Sequence, residues 1–305
     1  MIAPEDGARS VSRAHVTSLS SVRVTCLLVP PFRHRPIPLP RGPLHPHARG
    51  ASDRSPGASR PAGASLPDEQ VAPFLDIDAH WADDGVAPAV DALFERNGRR
   101  CWNTHLRYED LPRGGARLIY IMRNGEDALS SFYRHLSSQY ASEGGVDGPW
   151  RDFFEEFMAG DRFVYGRWQD NLASWSAEAA RTDEGVLFLC YEDMLSRGGL
   201  VDAVGRIARH IGCEASEERI ASVADATTMA AMKRDAARYN PESVRWRDDR
   251  KDFRFIGGAR DQLFDADQQR RFRALTRERL ERFERESGPG APPCLLRRYA
   301  DPAAS

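Results

Sequence analysis

Arg123-Asn-Gly-Glu-Asp127 follows an unbroken apolar run, and Ser131 stands eight residues beyond the arginine. A strand that feeds a helix in this way presents unpaired backbone N–H groups and the positive end of the helix dipole. An arginine there adds a planar, two-pronged donor suited to phosphate. Ser131, about two turns into the helix, can reach the same anion if the ligand lies along the helix. Spacing alone favours a plainer account, in which Arg123 pairs with Asp127 and Ser131 packs. A second group, Asn103-Thr-His105-Leu106, comes shortly before Leu111-Pro112. Its imidazole can take a proton near neutral pH, although a lone histidine is more often structural. A third, Tyr191-Glu-Asp193-Met194, directly follows another apolar run. Loops at the carboxyl ends of parallel strands line the ligand crevice, where an aromatic ring can stack on a base. The alternative is a helix start, with Asp193 as its cap and Tyr191 in the core.

The elements that would carry these groups follow from hydrophobic period. Arg117-Leu-Ile-Tyr-Ile-Met122 and Gly185-Val-Leu-Phe-Leu-Cys190 have the length and apolar continuity of buried strands. Leu129, Phe132 and Tyr133 recur at helical spacing after the first. Trp150 to Trp175 reads as helical, with Phe153, Phe154 and Phe157, then Trp168, Leu172 and Trp175, on repeating faces. Leu200, Val204, Ile207 and Ile211 mark an amphipathic helix that Gly212 should stop. Asp265-x-x-Gln268 has the form of a capping box, opening a last helix through Phe272, Leu275 and Phe283. Strands alternating with helices predict an α/β fold, a central parallel sheet flanked by helices. The sequence divides into an extension over 1–70, a globular unit over 71–287 and a loose Pro/Gly-rich tail over 288–305. No internal repeat is present.

Composition narrows the classes. The 305 residues hold 43 Lys+Arg against 45 Asp+Glu, a net charge of −2, so no overall field recruits nucleic acid or an anionic membrane. No apolar run reaches the ~18–20 residues of a membrane span. The five cysteines (Cys26, Cys101, Cys190, Cys213 and Cys294) are far apart, which fits a reducing, cytoplasmic interior better than a disulfide framework. No His/Cys/Asp cluster has metal-ligand spacing, so no metal is expected. Lysine occurs only at Lys233 and Lys251, which excludes any chemistry that needs a lysine earlier in the chain. Residues 1–70 contain 11 of the 20 prolines, and Pro30 to Pro67 has neither helical nor strand period, so this extension is expected to be unstructured apart from the apolar patch Val22–Val29. It lacks the amphipathic Arg helix or apolar core of a targeting signal.

Taken in order, these groups resemble the cytosolic-type sulfotransferases, which move a sulfuryl group from 3′-phosphoadenosine-5′-phosphosulfate (PAPS) to a hydroxyl or amine. The family's Lys-Thr-His-Leu-Pro resembles Asn103-Thr104-His105-Leu106. Its Tyr-x-x-Arg-Asn-Pro-Lys-Asp, with a later Ser and Tyr, resembles Tyr120 to Asp127 with Ser131 and Tyr133. Its Tyr-Glu-Asp resembles Tyr191–Asp193, and its Thr-Ser-Phe-x-x-Met-Lys resembles Thr227-Thr228-Met229-Ala-Ala-Met232-Lys233. Pro73-Phe74-Leu75-Asp76 resembles the segment that precedes these. The resemblance, over roughly residues 71–275, implies His105 as catalytic base and Arg123 and Ser131 on the donor's 3′-phosphate. It also implies Tyr191, Thr227, Thr228, Met229 and Met232 at the adenine, with a partial echo of a late phosphate loop in Arg254 and Gly257. It further implies a small-molecule acceptor and, in many members, a homodimer.

One part of the pattern is missing. The family opens with a strand, a Pro-Lys-Ser-Gly-Thr loop and a helix, and that loop cradles the 5′-phosphosulfate. Here the corresponding stretch is the Pro/Arg-rich extension, and Asn103 replaces the lysine beside the histidine. The first β-α unit is therefore expected to be degenerate or missing. Three readings stay open at this point: a working sulfotransferase, a nucleotide-binding pseudoenzyme or interaction protein without turnover, and a chain whose true start lies elsewhere. A P-loop phosphotransferase fits less well, because it too needs a lysine.

Overall fold

The two apolar runs form adjacent parallel strands whose side chains alternate between two separate cores. The computed structural model describes residues 24–29, 72–75, 81–82, 85–86, 88–98, 100–111, 116–141, 145–160, 166–179, 186–234, 236, 246–248, 263–287 and 294–300. In chain order the elements are β1 (Val24–Val29), β2 (Trp81–Ala82), β3 (Gly85–Val86), α1 (Pro88–Asn97), β4 (Arg100–Thr104), β5 (Leu118–Met122), α2 (Gly125–Leu136), α3 (Trp150–Ala159), α4 (Trp168–Ala179), β6 (Val186–Cys190), α5 (Tyr191–Leu195), α6 (Gly199–His210), α7 (Glu217–Ala226), α8 (Met229–Arg234), α9 (Ala266–Ser287) and α10 (Arg297–Ala300). β2 and β3 form a small antiparallel pair of their own.

The main sheet has the order β4-β1-β5-β6. β5 and β6 run parallel in register from Leu118↔Val186 to Met122↔Cys190. Leu118 and Tyr120 point into the larger core with Phe132, Phe154, Trp168, Trp175 and Phe272. Ile119 points the other way, joining Leu189 and Ala203 with Ile207 of α6 and Ile211 just beyond it. Helices thus cover both faces, as near-continuous apolar strands require.

β1 lies within the apolar patch of the extension and pairs antiparallel with both neighbours, Val24 opposite Thr104 and Tyr120, and Val29 opposite Arg100. β4, β5 and β6 therefore share one direction, and β1 alone opposes them. The chain leaves β1 at the sheet edge opposite the end of β4. A phosphate loop of the strand–loop–helix kind needs its strand to end at the other edge, so β1 does not supply the first unit of such a fold.

Local signals acted as their chemistry predicts at several points. Asp265 Oδ1 accepts the amides of Asp267 and Gln268 at 2.8 Å, and Gln268 Oε1 returns to the Asp265 amide at 3.1 Å, completing the capping box of α9. Gly212, at φ +66°, ends α6. Its amide reaches Arg209 O at 3.1 Å and the Cys213 amide reaches Ala208 O at 2.8 Å, the paired bonds of a left-handed helix stop. The helical stretch Trp150–Trp175 is divided between α3 and α4. Gly160, at φ +86°, closes α3, and its amide bonds Glu156 O and Phe157 O.

The tail also differs from expectation. Cys294, Leu296 and Ala300 are buried, and Ser176 Oγ of α4 accepts the Leu295 amide at 2.9 Å. Five of the seven residues of Cys294–Ala300 are apolar and three of them are buried, which gives this segment enough buried surface to dock despite its Pro/Gly-rich approach.

Candidate functional site

Because β4, β5 and β6 point the same way, His105, Arg123 and Tyr191, each directly after one of these strands, come to one edge of the sheet. There the Arg123 guanidinium lies over the Tyr191 ring, 4.8 Å from its centroid. The stack brings together two of the residues singled out from sequence. The Asp127 contact, at 3.9 Å, is at the outer limit of an ion pair, and the Asp127 side chain is exposed. Arg123 Nε is buried and has no hydrogen-bond partner among the described residues. Such a donor is costly to leave unmet.

The start of α2 next to Arg123 is fixed by its cap and by close packing. Asn124 caps α2, its Oδ1 accepting the amides of Glu126 at 2.9 Å and Asp127 at 3.2 Å. Ser131, half-buried, follows Asp127 by four residues within α2, so these two share one face of the helix, while Arg123 precedes its cap. Gly125 has no room for a side chain, because a Cβ would fall 2.7 Å from Phe272 Cζ and 2.8 Å from Trp168 Cδ2. That close approach seats the N-terminus of α2 against the aromatic core.

Glu192 was not singled out by sequence reasoning. Its Oε1 accepts the Asn124 amide at 2.7 Å, tying the β5–α2 turn to the β6–α5 turn. Its Oε2 accepts Cys190 Sγ and Tyr299 Oη, both at 2.9 Å. Burial works to raise this carboxyl, but the bonds from Cys190, the Asn124 amide and Tyr299 outweigh it and hold the group below its ordinary value. Burial pushes the Cys190 thiol up, with Glu192 adding to the effect. Asp193 is not a helix cap. It receives a two-pronged bond from Arg298, at 2.6 and 3.1 Å. Tyr191 is the first residue of α5 and only half-buried.

His105 is 2% exposed and its ring stacks on Phe74, centroids 5.2 Å apart and planes 15° from parallel. Phe74 is held there because Asn103 bonds both neighbours, its amide to Pro73 O at 2.9 Å and its carbonyl from the Leu75 amide at 2.7 Å. From the other side α4 grips the backbone. Asn171 Nδ2 donates to His105 O at 3.3 Å and Trp175 Nε1 to Leu106 O at 3.3 Å. The Tyr120 hydroxyl, wholly buried, donates to Asn171 Oδ1 at 3.0 Å and links the brace to β5. The helical period places Leu172 and Trp175 but gives no hint of Asn171, whose amide works across 51 and 66 residues of sequence.

The threonines expected at the adenine bond locally, within the ends of their own helices. Thr227 Oγ1 donates to Val223 O and Ala224 O at the end of α7. Thr228 Oγ1 accepts the Ala231 amide at 3.2 Å at the start of α8. Met229 is exposed and Met232 half-buried. Among the described residues no hydrogen bond, ion pair or ring contact joins these four to Arg123 or Tyr191. Arg254 and Gly257 lie outside the described residues. No cluster of three or more His, Cys, Asp or Glu side chains that could hold a metal occurs among the described residues, and no described helix is long and apolar enough to cross a membrane.

A sulfotransferase domain model matches residues 57–284, beginning inside the stretch that composition assigns to the extension. Sulfotransferase 1 family member D1 of Mus musculus is 33% identical over 114 residues, 36% of this chain and 37% of its own length. Sulfotransferase 1A1 of Mus musculus is 30% identical over 165 residues, 53% of each chain. Sulfotransferase 4A1 of Homo sapiens is 31% identical over 143 residues, 45% of this chain and 48% of its own. The chain thus spans from 37% to about half the length of these curated relatives. Among solved structures, mouse sulfotransferase SULT7A1 complexed with PAP is similar with a TM-score of 0.49 and 26% identity, over 64% of this chain and 71% of that one.

Proposed function

This chain belongs to the sulfotransferase domain family, and from that premise we propose that it transfers a sulfuryl group from PAPS to a hydroxyl or amine of a small acceptor. The observation that carries the reading is the buried Nε of Arg123, without a hydrogen-bond partner among the described residues, beside the Tyr191 ring. A guanidinium at a helix N-terminus with a donor to spare suits a phosphate dianion.

In this reading Arg123 and Ser131 take the donor's 3′-phosphate, with Arg254 and Gly257 joining them. Tyr191 meets the adenine, alongside Thr227, Thr228, Met229 and Met232. His105 Nε2 or Nδ1 takes the acceptor's proton as the acceptor oxygen or nitrogen attacks sulfur in line. One bond from sulfur to the acceptor forms, the bond from sulfur to the bridging phosphate oxygen breaks, and 3′-phosphoadenosine-5′-phosphate (PAP) leaves with that electron pair. Asn171 and Trp175 hold the backbone at residues 105 and 106, so the imidazole stays in place during the transfer. The fit is good for the 3′ half of the donor and poor for the 5′ half. No lysine precedes Lys233 to neutralise the leaving phosphate, so turnover is expected to be slow.

The test has two parts. Calorimetric titration with PAP should show saturable binding in the wild-type protein that Arg123→Ala abolishes. Labelled PAPS with a panel of phenols should then give sulfated product at a rate that His105→Ala lowers by about 10²–10⁴. Binding without transfer would leave a nucleotide-binding protein and remove the catalytic role of His105. No binding would remove the whole reading.

A further inference from the structure

The segment Cys294–Ala300 lies more than 100 residues from the strand ends in sequence, yet its side chains lock the turn behind Tyr191 from the rear. Tyr299 Oη donates to Glu192 Oε2 at 2.9 Å and lies 3.2 Å from Cys190 Sγ. Arg298 forks onto Asp193. The Tyr299 ring also sits edge-on to Trp168, centroids 5.4 Å apart, and Trp168 is one of the rings that forbid a side chain at Gly125. The segment is itself anchored by Leu296, which is wholly buried, and by Ser176.

The consequences run forward through Glu192. Its other oxygen holds the Asn124 amide. That N–H belongs to the peptide plane joining Asn124 to Arg123, so the bond sets the direction in which Arg123 leaves the strand. Glu192 is also the neighbour of Tyr191, whose ring carries the guanidinium. A carboxylate that accepts from three directions has one orientation, and losing any donor frees it to rotate.

We propose that Tyr299 and Arg298 are positioning residues for nucleotide binding, acting through Glu192 and Asp193 to hold Arg123 and Tyr191 in the geometry that grips the donor. The proposal rests on the reading of Arg123 as the phosphate-binding arginine, and it adds that the C-terminal segment is part of the site's construction. Neither residue touches the ligand. Because the clasp acts on the nucleotide half alone, its loss should weaken PAP while leaving the acceptor KM where it was.

The experiment is PAP titration by calorimetry on the full chain, with melting temperature and acceptor KM measured alongside. Tyr299→Phe removes one oxygen and keeps the ring, and should raise the PAP Kd about fivefold, the effect of freeing one charge-assisted bond. Arg298→Ala should weaken PAP in the same direction, and Arg298→Lys should restore part of the loss. Glu192→Gln combined with Tyr299→Phe should cost no more than Glu192→Gln alone, since both act along one path. Strict additivity would overturn the proposal. So would a PAP Kd unchanged in Tyr299→Phe while Arg123→Ala abolishes binding, a result that leaves the phosphate reading intact. A rise in Kd accompanied by an equal rise in acceptor KM, or by a large fall in melting temperature, would mark a merely structural contact and overturn it too. Failure of the wild-type protein to bind PAP would overturn both readings together.

Discussion

Replacing Asn171 by Leu, which has nearly the same volume, should be among the most damaging single changes in this protein. Asn171 is 3% exposed, and its amide serves two elements at once, accepting from Tyr120 Oη at 3.0 Å and donating to His105 O at 3.3 Å. The leucine would fill the space but leave the wholly buried Tyr120 hydroxyl without its acceptor and take a donor from the His105 carbonyl. Each such buried polar group costs about 1–3 kcal/mol, so the sum is about 2–6 kcal/mol. For a domain of this size that lowers the melting temperature by roughly 4–24 °C. Tyr120→Phe alone should cost about 1 kcal/mol. Combined with Asn171→Leu it should recover the hydroxyl's share, because removing both partners of a buried bond is nearly neutral. Differential scanning fluorimetry on the two single variants and the double variant measures this directly, with PAP affinity as a control that should not move. A melting temperature for Asn171→Leu within about 1 °C of wild type, or a double variant that costs the full sum of its parts, would refute the argument that α4 braces His105.

Two further outcomes follow from the same geometry. Gly125→Ala should destabilise by about 1–2 kcal/mol despite alanine's better helix propensity, because the new methyl must displace the Phe272 and Trp168 rings it would meet within 3 Å. Chemical denaturation reads the change, and a gain in stability would show that the rings give way freely. Glu192→Gln tests the carboxylate network by pH. The native carboxyl is held below its ordinary value, so its stabilising contribution is complete above the unfolded carboxylate range near pH ~4.3 and is lost as pH falls through the folded value. The stability gap between wild type and Glu192→Gln should therefore narrow on acidification below about pH 4, and a gap independent of pH would show that Glu192 is not charged in the folded protein.

Much of the fold was readable because its signals are local. The apolar continuity of β5 and β6, the capping box at Asp265, the period of α6 and its glycine stop each depend on residues within one turn or one strand of each other. The contact of Arg123 with Tyr191 has the same origin, since the two residues end adjacent strands that run one way. The break at Gly160 is local too, a glycine between two apolar faces that takes φ +86°. The contacts that build the site were not readable. Asn171, Glu192, Arg298 and Tyr299 work across 51 to 107 residues of sequence and have no period. Arg298 and Tyr299 sit in a tail whose composition argues for looseness, and only the burial of Leu296 and Cys294 shows otherwise. The antiparallel direction of β1 likewise depends on pairing with β4 and β5, which no local pattern encodes.

Calorimetric comparison of PAP with adenosine 5′-phosphosulfate, which lacks the 3′-phosphate, addresses the grip of Arg123 most directly. With a phosphate-binding arginine present and no lysine loop for the 5′ end, PAP should bind at least about 30-fold more tightly, the worth of one two-pronged arginine–phosphate contact. Equal affinity for the two compounds, or tighter binding of the one without the 3′-phosphate, would contradict it.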